Sequence, residues 1–174
     1  DCARKCLDIV ANVVANDNEI KGWRKLKNWR TSMKGLMREL GRASTSGGKN
    51  KPQRIKDAAL RYLNKAQELD KKLQAWANTF QFKSEKDLLV IIALENYLLL
   101  LEKHIDLVER RLIKGEEIPH HEKLFSIFET YTEWIKKGKS RPSVELGKKL
   151  AITTDQYGLI VDYQVMEHQQ DRDI

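Results

Sequence analysis

At Pro119 the hydrophobic period of this chain changes from 3.6 residues to 2, and that switch restricts the fold more than any other feature. Before it, apolar residues recur at helical spacing. Ile55, Tyr62, Leu69, Leu73, Trp76 and Phe80 follow one another at 7, 7, 4, 3 and 4, behind Pro52, a residue suited to a first helical turn. Leu88, Ile91, Leu94, Leu98, Leu101, Ile105, Val108 and Leu112 carry a second stripe. It is opened by Ser84 with Asp87 three residues on, a capping-box pattern, and closed by Gly115. Two helices of such length joined by Gln81-Phe82-Lys83 fold back antiparallel, so 52–81 and 84–114 are read as a helical hairpin. Cys6, Ile9, Val10, Val13 and Val14 mark a shorter helix over 2–15, ended by Asn16-Asp17-Asn18. Trp23 or Leu26, then Trp29, Met33, Leu36 or Met37, and Leu40 mark another over 22–41. Between 42 and 52 the run Ser44-Thr45-Ser46-Gly47-Gly48 has no period and reads as a mobile connector open to proteolysis.

After Pro119 the alternation predicts strands near 123–130, 144–153 and 159–167, with Asp155-Gln156-Tyr157-Gly158 as the turn between the last two. The fold class expected is therefore α+β: an antiparallel bundle or hairpin of long helices over 1–116, then a three-stranded antiparallel β-meander over 117–174. A meander with one helical neighbour is marginal, and the sheet looks unfinished at residue 174. The opening Asp1-Cys2-Ala3-Arg4-Lys5-Cys6 has neither a methionine nor an apolar targeting segment, and a fragment or trimmed chain is expected. No apolar run approaches the roughly 20 residues of a membrane span, and a cytoplasmic protein is expected. Cys2 and Cys6 stack one helical turn apart, which is neither a disulfide framework nor a zinc set.

The formal charge is +7, and it is concentrated. Lys21 to Lys56 holds twelve Lys/Arg against the single acid Glu39, and the remainder of the chain is net negative. Arg24, Lys27, Arg30, Lys34, Arg38 and Arg42 recur every three to four residues beside Trp23 and Trp29. Such a stripe draws phosphates by counterion release, with steep salt dependence and little base reading. A solvated helix face has the same pattern; what favours nucleic acid is the lack of the i, i+4 acids that an ordinary exposed helix mixes in. Lys136, Lys137 and Lys139, in the loop after Trp134, form a second, smaller cluster.

The acids offer no metal centre. Asp155 reads as a turn former, Asp162 as a solvent-facing strand residue, and Asp171 and Asp173 as N-caps. His120 and His121, with Glu116, Glu117 and Glu122 nearby, point apart and lack a third ligand at zinc spacing. No phosphate-binding glycine loop and no nucleophile motif is present.

The run Ile118-Pro119-His120-His121-Glu122-Lys123-Leu124-Phe125-Ser126-Ile127-Phe128-Glu129 is followed by Thr132-Glu133-Trp134-Ile135-Lys136-Lys137-Gly138-Lys139. With Val144-Glu145-Leu146-Gly147 and Thr154-Asp155-Gln156-Tyr157-Gly158, these residues resemble bacterial insertion-sequence transposases of the DDE type, in particular the ISNCY-like group. Gly22-Trp23-Arg24 and Glu109-Arg110-Arg111 resemble landmarks of the same family's helical insertion. The resemblance is densest over 118–168. It implies a partial ribonuclease-H-like fold: a helical insertion followed by strands two and three of a catalytic domain that performs DNA transposition and recombination. It implies three carboxylates holding two Mg²⁺ in the intact enzyme, all placed outside this chain, so no residue here is assigned as catalytic or metal-binding. Weakly specific contact with transposon-end DNA is expected, in a bacterial, nucleoid-associated parent for which a homo-oligomer is open. The rival reading is a non-enzymatic helical module that grips nucleic acid or a partner helix through 22–42.

Overall fold

A computed structural model describes residues 1–16, 22–23, 25–81, 83–136, 138 and 143–166. The chain is α+β, four helices followed by antiparallel strands, and it divides into two compact units, Asp1–His120 and His121–Ile174.

The first unit contains α1 (Cys2–Asn16), α2 (Leu26–Thr45), α3 (Lys51–Thr79) and α4 (Glu85–Val108). α4 continues as a π-helical stretch, Glu109–Lys114, which stops at Gly115 in the left-handed region (φ 75°). A Cβ is disfavoured at that φ, so glycine is the natural residue for this end. The capping box at the start of α4 is formed: the Ser84 hydroxyl accepts from the Asp87 amide, and the Lys83 amide donates to the Asp87 carboxylate at 2.8 Å. That bond from Lys83 holds the Asp87 carboxyl below its ordinary range. The two long helices form the expected hairpin. Leu69 and Leu73 of α3, Leu94 and Leu101 of α4, and Leu7 and Val10 of α1 are completely or almost completely buried. α2 packs on α3 through Met33 and Leu40, the latter beside Ala58 and Ala59.

The largest departures from the sequence reading of the helices are the two ends of α2, each displaced by four residues. α2 begins at Leu26 rather than 22, because the chain turns at Gly22 (φ 95°) and closes a turn from the Leu26 amide to the Trp23 carbonyl. It runs on to Thr45 instead of stopping at 41. Ser44 and Thr45 bond back to the carbonyls of Leu40 (2.9 Å) and Gly41 (3.1 Å), so their hydroxyls find partners inside the helix. The connector shortens to Ser46–Asn50.

The second unit opens with a short 3-10 turn, His120–Glu122, at its border. It then forms two separate hairpins rather than one three-stranded meander: β1 (Glu133–Lys136) with β2 (Val144–Gly147), and β3 (Leu150–Thr154) with β4 (Ile160–Val165). The strand expected over 123–130 is absent. The Ser126 hydroxyl accepts from the amides of Phe128 (3.2 Å) and Glu129 (3.0 Å), a local turn that competes with ladder pairing. The first strand therefore lies at 133–136. The single strand expected over 144–153 divides at Lys148-Lys149, where the chain leaves β1 and takes up β4 as partner. Asp155 is the turn former expected: its Oδ1 accepts from the amides of Tyr157 and Leu159, both at 2.9 Å, ahead of Gly158 (φ 80°). Among the described residues no helix is long and apolar enough to cross a membrane.

Candidate nucleic-acid interface

α2 is amphipathic in the way its sequence demands. Met33 and Leu40 are buried, Trp29 and Leu36 are half-buried, and Lys27, Arg30, Lys34, Arg38 and Arg42 are exposed on the other side. From Lys27 to Arg42 the stripe extends roughly 22 Å at ~1.5 Å per residue. Arg30 is set apart from the rest: it pairs with Asp8 of α1 at 2.6 Å and approaches the Leu7 carbonyl at 3.4 Å. Lys27, Lys34, Arg38 and Arg42 form no ion pair among the described residues, and their charges face solvent. Lys136 is exposed at the end of β1, in the other unit. Arg24, Lys137 and Lys139 lie outside the described residues, as do Asp171 and Asp173.

A second row of cations runs along α3: Arg54 belongs to the basic run read from the sequence, whereas Arg61, Lys65 and Lys72 escaped that reading because they are diluted by acids. Arg54, Arg61, Lys65 and Lys72 stand 7, 4 and 7 residues apart and reach across to α2 and to the segments on either side of it. Arg54 donates to the Gly47 carbonyl, Arg61 pairs with Glu39, Lys65 lies 3.9 Å over the Trp29 ring, and Lys72 lies 4.8 Å over the Trp23 ring. These contacts clamp α2 against α3. They also engage Glu39, the one acid among the twelve basic residues, so the outer face of α2 keeps its positive field. The tryptophans have structural partners in place of bases: Trp23 is buried edge-on to Trp76, with ring centroids 6.2 Å apart, and the Trp29 face is covered by Lys65. At the α2–α3 corner, Arg42, Arg54 and Arg61, with Glu39 and Asp57, line an open depression of about 320 Å³.

Elsewhere in the first unit the chemistry is quiet. A larger, apolar cavity of about 620 Å³ is lined by Ile9, Val13, Phe80, Leu89, Val90 and Ala93, and the one carboxylate among its lining residues, Asp87, serves the α4 cap. Between α1, α3 and α4 lies a buried polar group. Burial pushes the Cys6 thiol up to about 12, with Cys2 and Asp70 adding to the effect, the reverse of what activates a nucleophile. Burial likewise lowers the pKa of His104, whose ring stands edge-on to Tyr62 at 5.8 Å. Asp70 is the buried acid. Its Oδ2 accepts from Gln74 at 3.0 Å, its Oδ1 has no hydrogen-bond partner, and burial, with Glu102 nearby, raises its carboxyl to about 6.

Among the described residues no three His, Cys, Asp or Glu side chains converge as metal ligands. Of the two acids singled out in the second unit, the Asp155 carboxylate accepts from two backbone amides, and Asp162 is an exposed residue opposite Thr153. The chain matches no family model, no curated protein and no solved structure.

Proposed function

We propose that this chain is a DNA-contacting part of a DDE-type transposase, one that binds the phosphate backbone through the outer face of α2 and leaves strand cleavage and transfer to carboxylates and Mg²⁺ held elsewhere in the parent. The observation that carries the DNA reading is the exposed row Lys27, Lys34, Arg38 and Arg42, left free of acids while Arg61 occupies Glu39. The transposase reading rests on the motifs of 118–168 and on no fold or family match. It calls for an Asp at the end of an apolar strand upstream in the parent, and an Asp and a Glu downstream. A cytoplasmic, nucleoid-associated parent acting on transposon ends follows from it. Because the stripe lies along the side of a helix, its cations can follow phosphates but do not present a helix end to base edges.

The test is a salt titration of duplex DNA binding by the wild type and by Lys34→Ala with Arg38→Ala. Both side chains are exposed, so the fold stays intact. Two lost phosphate contacts lower the log–log salt slope by about 2 and weaken binding alike on unrelated sequences. A slope unchanged by the double substitution, or near zero in the wild type, overturns the interface.

A further inference from the structure

α4 is apolar on two faces, and the fold uses one. Ile91, Leu94, Leu98, Leu101 and Ile105 turn into the bundle and are buried. On the opposite side Leu89, Ile92 and Leu99 are 68%, 45% and 64% exposed. A helix apolar all round belongs in an interior, whereas one on a surface carries a single apolar stripe. The outward face therefore needs an occupant.

Its pattern says which. Glu85, Leu89, Ile92, Asn96, Leu99 and Lys103 are all exposed and recur at 4, 3, 4, 3 and 4, the alternation of a coiled-coil seam. That seam is complementary to itself when reversed. In an antiparallel copy centred at the level of residue 94, Glu85 meets Lys103 of the second copy, Leu89 meets Leu99, and Ile92 meets Asn96, each contact repeated by the two-fold axis. The two Asn96 side chains then fall in adjoining layers beside the axis, where each amide is within reach of the other. A single polar residue in such a seam fixes register. Other arrangements lose this complementarity. A parallel pair sets Glu85 against Glu85 and Lys103 against Lys103. Sliding the antiparallel pair by seven residues one way opposes Ile92 to Lys103; the other way leaves Lys103 without an acid.

From this charge and apolar complementarity we infer that the outward face of α4 is a homodimer interface, closed by an antiparallel α4–α4 pairing with Glu85 against Lys103. The seam is some ~27 Å long at ~1.5 Å per residue, a small interface by the standards of stable dimers, so the dimer dissociates in the micromolar range. The pairing is independent of the DNA reading, which concerns α2.

The experiment is sedimentation equilibrium of the full chain over roughly 1 to 300 μM, which spans that range, with far-ultraviolet circular dichroism to verify the fold of each variant. The wild type forms a dimer. Glu85→Lys alone, or Lys103→Glu alone, places two like-charge contacts in each dimer and weakens it at least about tenfold. The two substitutions together restore the wild-type association, because the pair is reversed rather than removed. Leu89→Asp abolishes the dimer while leaving the helices folded. A wild type monomeric throughout the range overturns the inference and leaves the face to a different helical partner. A dimer indifferent to the single charge changes, not rescued by the double one, or surviving Leu89→Asp, overturns it as well, by assigning association to another surface.

Discussion

Each helix of the first unit turns at least two apolar residues fully inward, whereas in the second unit Ile160, Val161, Tyr163 and Val165 of β4 are all more than half exposed. The compositions do not explain this, since the strands are themselves rich in β-branched and aromatic residues. The difference lies in how each element meets its needs. A helix satisfies its backbone hydrogen bonds alone and has only a stripe to bury, which one or two neighbours cover. A strand needs a neighbour for its backbone and another layer for each face. A hairpin of two strands supplies one edge and no layer. Ile135 is the buried hydrophobic residue among those described in the second unit, while the first has a core contributed by all four helices.

The sharpest way to break the comparison is to cut one methylene-rich side chain from each unit. Leu94→Ala, at a fully buried position of α4, is expected to lower stability by about 2–5 kcal/mol. Ile152→Ala, at a half-exposed position of β3, stays within about 1 kcal/mol. Urea denaturation followed by circular dichroism measures both, and a large loss at Ile152 would show that the hairpins contribute a core of their own.

A smaller effect of opposite sign is expected at Asp70, the polar residue that the helical core tolerates. Its carboxyl is raised in the folded state, so the fold binds that proton more tightly than the unfolded chain does. Stability from this group is present below the ordinary pKa of 3.8 and is lost as pH rises through about 6. Asp70→Asn keeps an acceptor for Gln74 and removes the buried charge. It should stabilise by about 1 kcal/mol at pH 7 and make almost no difference at pH 4. Denaturation midpoints at the two pH values test this; equal shifts at both would assign the effect to packing instead of charge.

The least effect is expected at the start of α4. Ser84→Ala removes the side-chain half of the capping box and should cost about 0.5–1 kcal/mol, with the lost protection concentrated in amides 85–88 by hydrogen exchange. Uniform loss across α3 and α4 would mean that the cap is needed for the whole hairpin.

Much of the first unit was legible. The 3-4 spacing of Ile55 to Phe80 and of Leu88 to Leu112, the Ser84–Asp87 cap and the Gly115 stop all depend on residues within a turn or two of one another, and local physics decides them. The outward placement of Lys27, Lys34, Arg38 and Arg42 was legible for the same reason, because the opposite side of α2 carries Met33 and Leu40. The second unit was read less well. Phe125, Ile127 and their neighbours alternate like a strand, but the Ser126 hydroxyl holds the Phe128 and Glu129 amides in a turn, and alternation contains no information about that competition.

By itself the sequence determined where hydrophobic period, charge and turn chemistry lie along the chain: four segments of helical period, one basic face, the change at Pro119 and the Asp155 turn. The tertiary structure decided which of those features meet. Arg61 reaching Glu39, Lys65 covering Trp29, Arg30 drawn aside by Asp8, and Asp70 left with an unpartnered oxygen are pairings between residues 22 or more positions apart, or the lack of one. Periodicity shows which side of an element is apolar. It does not show which neighbour that side will face, because that depends on packing the remaining elements into the same volume.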